Sequence, residues 1–265
     1  MYFGFDRITV RYGKRTVLRD LTLEVPRGKT VTLIGKNGCG KSSLLKTVFR
    51  AVIPASGQVI LGGKPLRTYP PRAVARRIAY LAQEQVLPPD IDVRTLVSYG
   101  RYPHSVLGRG MTSADAAVID RALTLTGMTG LQEHPLATLS GGERQRARIA
   151  MALAQEPEIL ILDEPIAYLD IGYQIEVLEL LRGLNRSLGL TVLTVLHDLN
   201  LAARYSDLLC AIRDGGICAA GAPAEVITAE NLRGIFGIEA EILYDRVHGC
   251  PYFIADQSLR REGEA

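Results

Sequence analysis

The segment Gly35-Lys36-Asn37-Gly38-Cys39-Gly40-Lys41-Ser42 constrains this chain more than any other. It fits the spacing G-x-x-x-x-G-K-[ST], follows the β-branched apolar run Thr30–Ile34 and precedes a helical pattern over Ser42–Phe49. Its glycines let the backbone turn tightly enough for N–H groups to surround phosphate oxygens, and the helix that follows adds the positive end of its dipole. Such a loop needs a strand before it and a helix after it, so the fold is expected to be α/β. Two further apolar runs, Ile159–Leu162 and Thr191–Leu196, read as strands covered on both faces of a parallel sheet. The second leads into a helical pattern over His197–Tyr205, so strand, turn and helix repeat as in a doubly wound sheet.

The chemistry follows from the same segments. Lys41 is expected to neutralise the β- and γ-phosphates of a nucleotide, and Ser42 to ligate Mg²⁺. Glu158-Ile159-Leu160-Ile161-Leu162-Asp163-Glu164-Pro165 is a buried strand ending in adjacent carboxylates, at the carboxyl edge of the sheet where α/β proteins bind ligands. Asp163 is the expected Mg²⁺ partner, and Glu164 is suited to polarise an attacking water as general base. Leu139-Ser140-Gly141-Gly142-Glu143 opens a long helical stretch; Ser140 and Glu143 have capping-box spacing, which leaves the amides of Gly141 and Gly142 at a helix start.

Between about Val86 and Gln155 the strand signals vanish, and Thr112 with Asp115 has capping-box spacing before an apolar face of Val118, Ile119, Ala122 and Leu123. This reads as an inserted helical subdomain. Past Gly221 follow a short helix around Ala229–Phe236 and alternating stretches Glu239–Tyr244 and Tyr252–Ala255, flanking a turn near His248-Gly249. A length of 265 residues suits one domain with subdomains, and the net charge of +3 does not argue for nucleic acid. The four cysteines, Cys39, Cys210, Cys218 and Cys250, show no metal spacing and fit a reduced, cytosolic compartment. Met1–Ile8 lacks the profile of a secretory signal, and no apolar run approaches the roughly 20 residues that span a bilayer, so membrane association is expected to be peripheral.

These segments, in this order and over nearly the whole chain, resemble the nucleotide-binding subunit of ATP-binding-cassette transporters. The resemblance implies a single nucleotide-binding domain over 1–265. Its P-loop NTPase (RecA-like) core spans about 1–85 and 156–220, with N-terminal antiparallel β elements, the helical subdomain at about 86–155 and a C-terminal appendage at about 221–265. ATP and Mg²⁺ are the implied ligands. Nucleotide contacts carry over to Gly35, Asn37, Gly38, Cys39, Gly40, Lys41, Ser42 and Ser43, with Tyr12 placed to stack the adenine. Ser140, Gly141 and Gly142 would act in trans on ATP held by a second copy of the chain, and Asp170 lies in the loop that communicates across that dimer. Gln83 matches the glutamine that senses Mg²⁺ and water and links the subdomains, and His197 the switch histidine that contacts the γ-phosphate. Glu143 stands where the family commonly has glutamine, Ile166 where threonine is frequent and Lys36 where proline is frequent; the Glu143 charge bears on turnover unless the side chain turns back to cap its helix.

Arg144, Arg146 and Arg148 alternate along a helix without forming one face, which suits a solvated or dimer-facing role rather than nucleic-acid binding. Leu96–Pro103, Tyr168-Leu169-Asp170 and Leu196–Asn200 resemble importers of ferric siderophores, haem and vitamin B12. The implied partners are integral-membrane permease subunits, a second copy of the chain and, indirectly, a periplasmic or lipoprotein substrate-binding protein, at the cytoplasmic face of the inner membrane. Cargo selectivity would rest with those partners, because the dispersed histidines build no chelate pocket. Tyr99, Arg101 and Tyr102 suit a permease contact, since aromatic and arginine side chains anchor interfaces; packing within the subdomain is the alternative for them. A soluble cassette ATPase working on nucleic acid would use the same ATP chemistry, but this chain carries neither a second cassette nor a long coiled-coil insertion.

Overall fold

The computed structural model describes residues 1–83, 88, 90–105 and 110–258. The chain divides into two compact units, one formed by Met1–Leu66 with Leu193–Ala265 and the other by Arg67–Val192. In chain order, the first unit begins with β1 (Phe3–Tyr12), β2 (Arg15–Val25), β3 (Thr30–Ile34), α1 (Lys41–Val48), β4 (Ser56–Leu61) and β5 (Lys64–Pro65). There follow α2 (Pro71–Ala75), β6 (Ile78–Leu81), α3 (Val93–Ser98), α4 (Ser113–Leu125), α5 (Gly141–Ala154), β7 (Ile159–Asp163), α6 (Ile171–Leu188) and β8 (Thr191–Val195). The chain ends with α7 (Leu199–Tyr205), β9 (Leu208–Arg213), β10 (Gly216–Gly221), α8 (Pro223–Val226), α9 (Ala229–Phe236), β11 (Ile238–Asp245) and β12 (Cys250–Ser258).

In the first unit, β1 pairs antiparallel with β2 and β4 in a sheet of order β2-β1-β4-β5. Its buried apolar side chains are Phe3 and Phe5, then Ile8 and Val10. That change of parity needs an irregularity, and the register shifts between Phe5 and Ile8, where Arg7 adopts a φ of 50°. The bulge thereby keeps apolar side chains on one face along the strand. Next to this sheet in sequence, β3 runs parallel to β9 with Val31 opposite Leu208 and Ile34 opposite Ala211, and β10 returns antiparallel on β9. The hairpin of β11 and β12 lies against α7, where the Asn200 side chain accepts from the Phe253 N–H at 2.9 Å and donates to its carbonyl at 3.2 Å.

In the second unit, β6 and β7 run parallel, and every residue of β7 is buried. The ends where they begin are pinned by Arg77, whose guanidinium meets the Glu158 carboxylate at 2.6 and 3.0 Å. Helices α3, α4 and α5 pack on one another. The expected start of a helical subdomain near Val86 lies outside the described residues; Ile119, Ala122 and Leu123 of the anticipated apolar face are buried. The Thr112–Asp115 capping box forms as the spacing requires, with the Asp115 N–H reaching Thr112 Oγ1 at 3.2 Å and the Thr112 N–H reaching Asp115 Oδ2 at 3.1 Å. The apolar run expected to be a strand over Thr191–Leu196 ends at Val195, and the following helix starts at Leu199 rather than His197. Asp198 sets that start, because its carboxylate accepts from the Leu201 N–H at 2.9 Å and acts as N-cap.

Arg101 turns largely inward. Its side chain is 11% exposed, and it donates to Asp115 at 2.8 Å, to Glu156 at 2.7 Å and to the Ala154 carbonyl at 2.7 Å, tying α4 to the end of α5. Tyr99 and Tyr102 beside it remain exposed. Hydrogen bonds from Thr112, and then from Arg101, hold the Asp115 carboxyl at about 2, below its ordinary value of 3.8. A carboxyl depressed in the folded state binds its proton later than in the unfolded chain, so its contribution is complete above about pH 4 and is lost as pH falls towards about 2. Urea unfolding should therefore show a wild-type advantage over Asp115→Asn that is widest above pH 4 and narrows on acidification; an advantage independent of pH over that range would exclude the carboxylate as its source.

Candidate active site

The phosphate loop joins β3 to α1 in the first unit. Gly40 is the N-cap of α1 at a φ of 110°, and a Cβ placed there would lie 2.5 Å from Leu18, so both conformation and space demand glycine. Glycine brings no side chain to cap the helix, which leaves first-turn N–H groups of α1 directed at the loop. Lys41 is buried, and its ammonium donates to the Gly35 carbonyl at 2.7 Å and the Lys36 carbonyl at 3.1 Å, with Cys39 Sγ at 3.8 Å. Carbonyls of the loop thus hold a cation against it, the charge that a polyphosphate needs. Tyr12, about half exposed at the end of β1, has its hydroxyl 3.3 Å from Ser43 Oγ on the first turn of α1. The same unit carries His197, exposed between β8 and α7.

In the second unit the parallel register sets Leu81 opposite Leu162, which carries Gln83 and Glu164 beyond the same strand ends. Gln83 Nε2 donates to Glu164 Oε2 at 2.8 Å. Asp163 is buried, and the Tyr80 hydroxyl donates to its Oδ2 at 3.4 Å. Burial above all, then the Asp163 charge and this hydrogen bond, push the Tyr80 phenol up to about 12, so it stays a donor to the carboxylate at any physiological pH. Glu164 has a φ of 53°, a left-handed conformation that costs a non-glycine residue about 1–3 kcal/mol and is retained where surrounding contacts over-determine it. A single buried carboxylate at the end of β7 is the kind of hard oxygen ligand that Mg²⁺ takes when water and phosphate complete its shell.

Ser140 caps α5. Its Oγ accepts from the Glu143 N–H at 3.3 Å, and its own N–H donates to Glu143 Oε2 at 2.8 Å. Those bonds hold the Glu143 carboxyl below the usual carboxylate range, so the charge at this unusual position is absorbed by the cap. Gly142 is buried under Tyr173, and an added Cβ would lie 2.4 Å from its ring; at Gly141 the nearest contact would be a Leu169 methyl at 3.1 Å. Asp170 is exposed at the start of α6.

The arginines of α5 differ in exposure and in partner, Arg144 being exposed and Arg146 and Arg148 half-buried. Arg144 reaches the Leu139 carbonyl at 3.2 Å, Arg146 pairs with Glu176 at 3.2 Å, and Arg148 is partly buried against the carbonyl of Ala82. Tyr80 and Arg148 were invisible as site residues in the sequence. The only trace of Tyr80 was a hydroxyl in an otherwise apolar strand, and Arg148 carried no signal beyond its place on an amphipathic helix.

A parallel α/β fold with this loop, and with paired carboxylates closing a buried strand, defines a P-loop nucleotide hydrolase. The family model described as "ABC transporter" matches residues 18–167. The chain is 48% identical over 249 residues to the ferric enterobactin transport ATP-binding protein FepC of Escherichia coli (strain K12), covering 94% of this chain and 92% of that protein. It is 43% identical over 260 residues to the iron(3+)-hydroxamate import ATP-binding protein FhuC of Bacillus subtilis (strain 168), covering 98% and 96%. Among solved structures, one described as an inward-facing conformation of a putative metal-chelate type ABC transporter superposes with a TM-score of 0.84 at 25% identity, over 97% of this chain and 98% of that one. This chain belongs to the ABC transporter family, as an ATPase subunit.

The glycines at the start of α5 make a test of packing against propensity. Alanine favours a helix over glycine by about 1 kcal/mol, yet at Gly142 it would have to displace the Tyr173 ring, and overpacking typically costs about 1–3 kcal/mol. Gly142→Ala should lower the urea midpoint, whereas Gly141→Ala should leave it within error or raise it. Equal effects at both positions would show that the Tyr173 contact does not decide the residue.

Proposed function

We propose that this chain is the ATP-hydrolysing subunit of an importer for ferric siderophores, working on integral-membrane permease subunits at the cytoplasmic face of the inner membrane. What carries the reading is the near-full-length likeness to ATP-binding proteins of ferric enterobactin and iron(3+)-hydroxamate import, joined to an intact set of phosphate-loop and carboxylate residues. No helix among the described residues is long and apolar enough to cross a membrane, so transport would require the permease. A second copy of the chain supplies the trans elements, and a substrate-binding protein delivers the chelate to the permease.

In this reading Lys41 and the amides of Gly35, Asn37, Gly38, Cys39, Gly40, Ser42 and Ser43 bind the phosphates, and Tyr12 stacks the adenine. Ser42, Gln83 and Asp163 are the Mg²⁺ partners, and the ion, when bound, neutralises phosphate charge. Glu164 accepts the proton of the attacking water, oriented by Gln83 at 2.8 Å. His197 contacts the γ-phosphate; Ser140, Gly141 and Gly142 close on the partner's nucleotide, and Asp170 links the protomers.

Lys41→Ala should abolish ATP binding, because the phosphates lose their main side-chain counter-ion. Glu164→Gln should bind ATP normally but hydrolyse it roughly two to four orders of magnitude more slowly, the usual worth of a positioned base. Near-normal turnover would remove Glu164 from that role. For the cargo, a host lacking this gene and any second importer should lose uptake of radiolabelled ferric siderophore, restored by the wild-type gene and not by Glu164→Gln. Loss of haem or vitamin B12 uptake instead would overturn the cargo, and normal uptake of all three would overturn the importer assignment.

A further inference from the structure

Arg148 is an expensive residue where it stands. Its side chain is partly buried on α5, burial lowers its pKa, and its Nε is enclosed without a hydrogen-bond partner. Among the described residues no carboxylate pairs with it. Its remaining nitrogens are spent on the Gln145 side chain, at 3.0 Å, and on the backbone carbonyl of Ala82. An aliphatic side chain would fill such a site without the cost of desolvating a guanidinium. The contact it makes is therefore what the arginine adds.

That contact falls at a particular place. Ala82 directly precedes Gln83, whose side chain holds Glu164 at 2.8 Å. At the other end, Arg148 is carried by the helix whose first turn is formed by Gly141 and Gly142 and capped by Ser140. We propose that Arg148 is a positioning residue for hydrolysis: it fastens α5 to the Ala82 carbonyl and so fixes the backbone from which Gln83 sets the Glu164 carboxylate. The hydrogen-bonded path runs from α5 through Arg148, Ala82 and Gln83 to Glu164. This rests on the role given above to Glu164, and with Ser140 and Gly142 acting on the partner's nucleotide it links one protomer's trans surface to its own base. A carboxylate held in a left-handed backbone conformation depends on such external fixing.

The test is a double-mutant cycle on the full-length chain, using Arg148→Met, Gln83→Ala and the double variant, read by single-turnover ATP hydrolysis and by binding of a fluorescent ATP analogue. Arg148→Met should keep analogue affinity within about twofold while the hydrolysis rate falls about ten- to hundredfold, the scale of a slightly misplaced catalytic group. The double variant should be little slower than Gln83→Ala alone, because both changes break one path. Arg148→Lys, which keeps a donor able to reach the carbonyl, should recover part of the rate. If Arg148→Met loses its folded circular-dichroism spectrum, Arg148→Gln takes its place in the cycle with the same expectations. Hydrolysis within about twofold of wild type, or losses that multiply in the double variant, would overturn the proposal. Unimpaired hydrolysis by Glu164→Gln would overturn the base assignment, and the relay with it.

Discussion

The parallel pairing of β6 with β7 is the constraint on which the second unit of this molecule depends. Gln83 and Glu164 lie 81 positions apart in the chain, yet they meet at 2.8 Å because Leu81 stands opposite Leu162 in the ladder. Side chains alternate faces along a strand, so a slip of one residue would turn Tyr80 away from Asp163 and Gln83 away from Glu164 together. The register resists such a slip because β7 is apolar and buried from Ile159 to Leu162, and because Arg77 clamps Glu158 just before it. Each fully buried aliphatic side chain contributes roughly 1.5–3 kcal/mol, far more than the partly exposed ion pair. Burial holds the strand, and the ion pair helps select its alignment.

Charge is handled differently at the two carboxylates that end β7. Asp163 is enclosed and receives the Tyr80 hydroxyl, whose own ionisation is suppressed by burial and by that neighbouring charge. Glu164, one step further, leaves the ladder in a left-handed conformation and takes its support from a neutral amide. One group is enclosed within the sheet, and the other meets the Gln83 side chain beyond the strand ends.

Much of this was legible in the sequence where a residue's role depends on near neighbours. The phosphate loop, the caps at Thr112 and Ser140, the buried strand before Asp163 and the helix over Ala229–Phe236 all follow from local spacing, and Glu143 turns back to its cap as a residue at that helical position can. What sequence reading missed depends on contacts between distant segments. The parity change in β1 rests on a bulge against β2, and the start of α7 on whether Asp198 caps it; between the two roles open for Arg101, carboxylates from α4 and from just after α5 decide for packing within the subdomain. Alternating arginines on α5 do not say that Arg148 finds a carbonyl from a distant segment. That partner, Ala82, is contributed by a strand end 66 positions away.

The same distinction explains how the C-terminal appendage is held. A two-stranded hairpin such as β11 with β12 is marginal by itself in water, and several of its larger apolar side chains, Tyr244, Val247 and Ile254, remain exposed. Its stability has to come from other elements, and α9 packs on β11 while α7 and α8 pack on β12. Asn200 meets the Phe253 backbone as a neighbouring strand would, satisfying both its N–H and its carbonyl through one side chain. A buried backbone group left without a partner costs about 1–3 kcal/mol, so this pairing is comparable with the whole margin of an isolated hairpin. The hairpin is therefore tied through Asn200 to α7, the helix that begins at Leu199 just after His197.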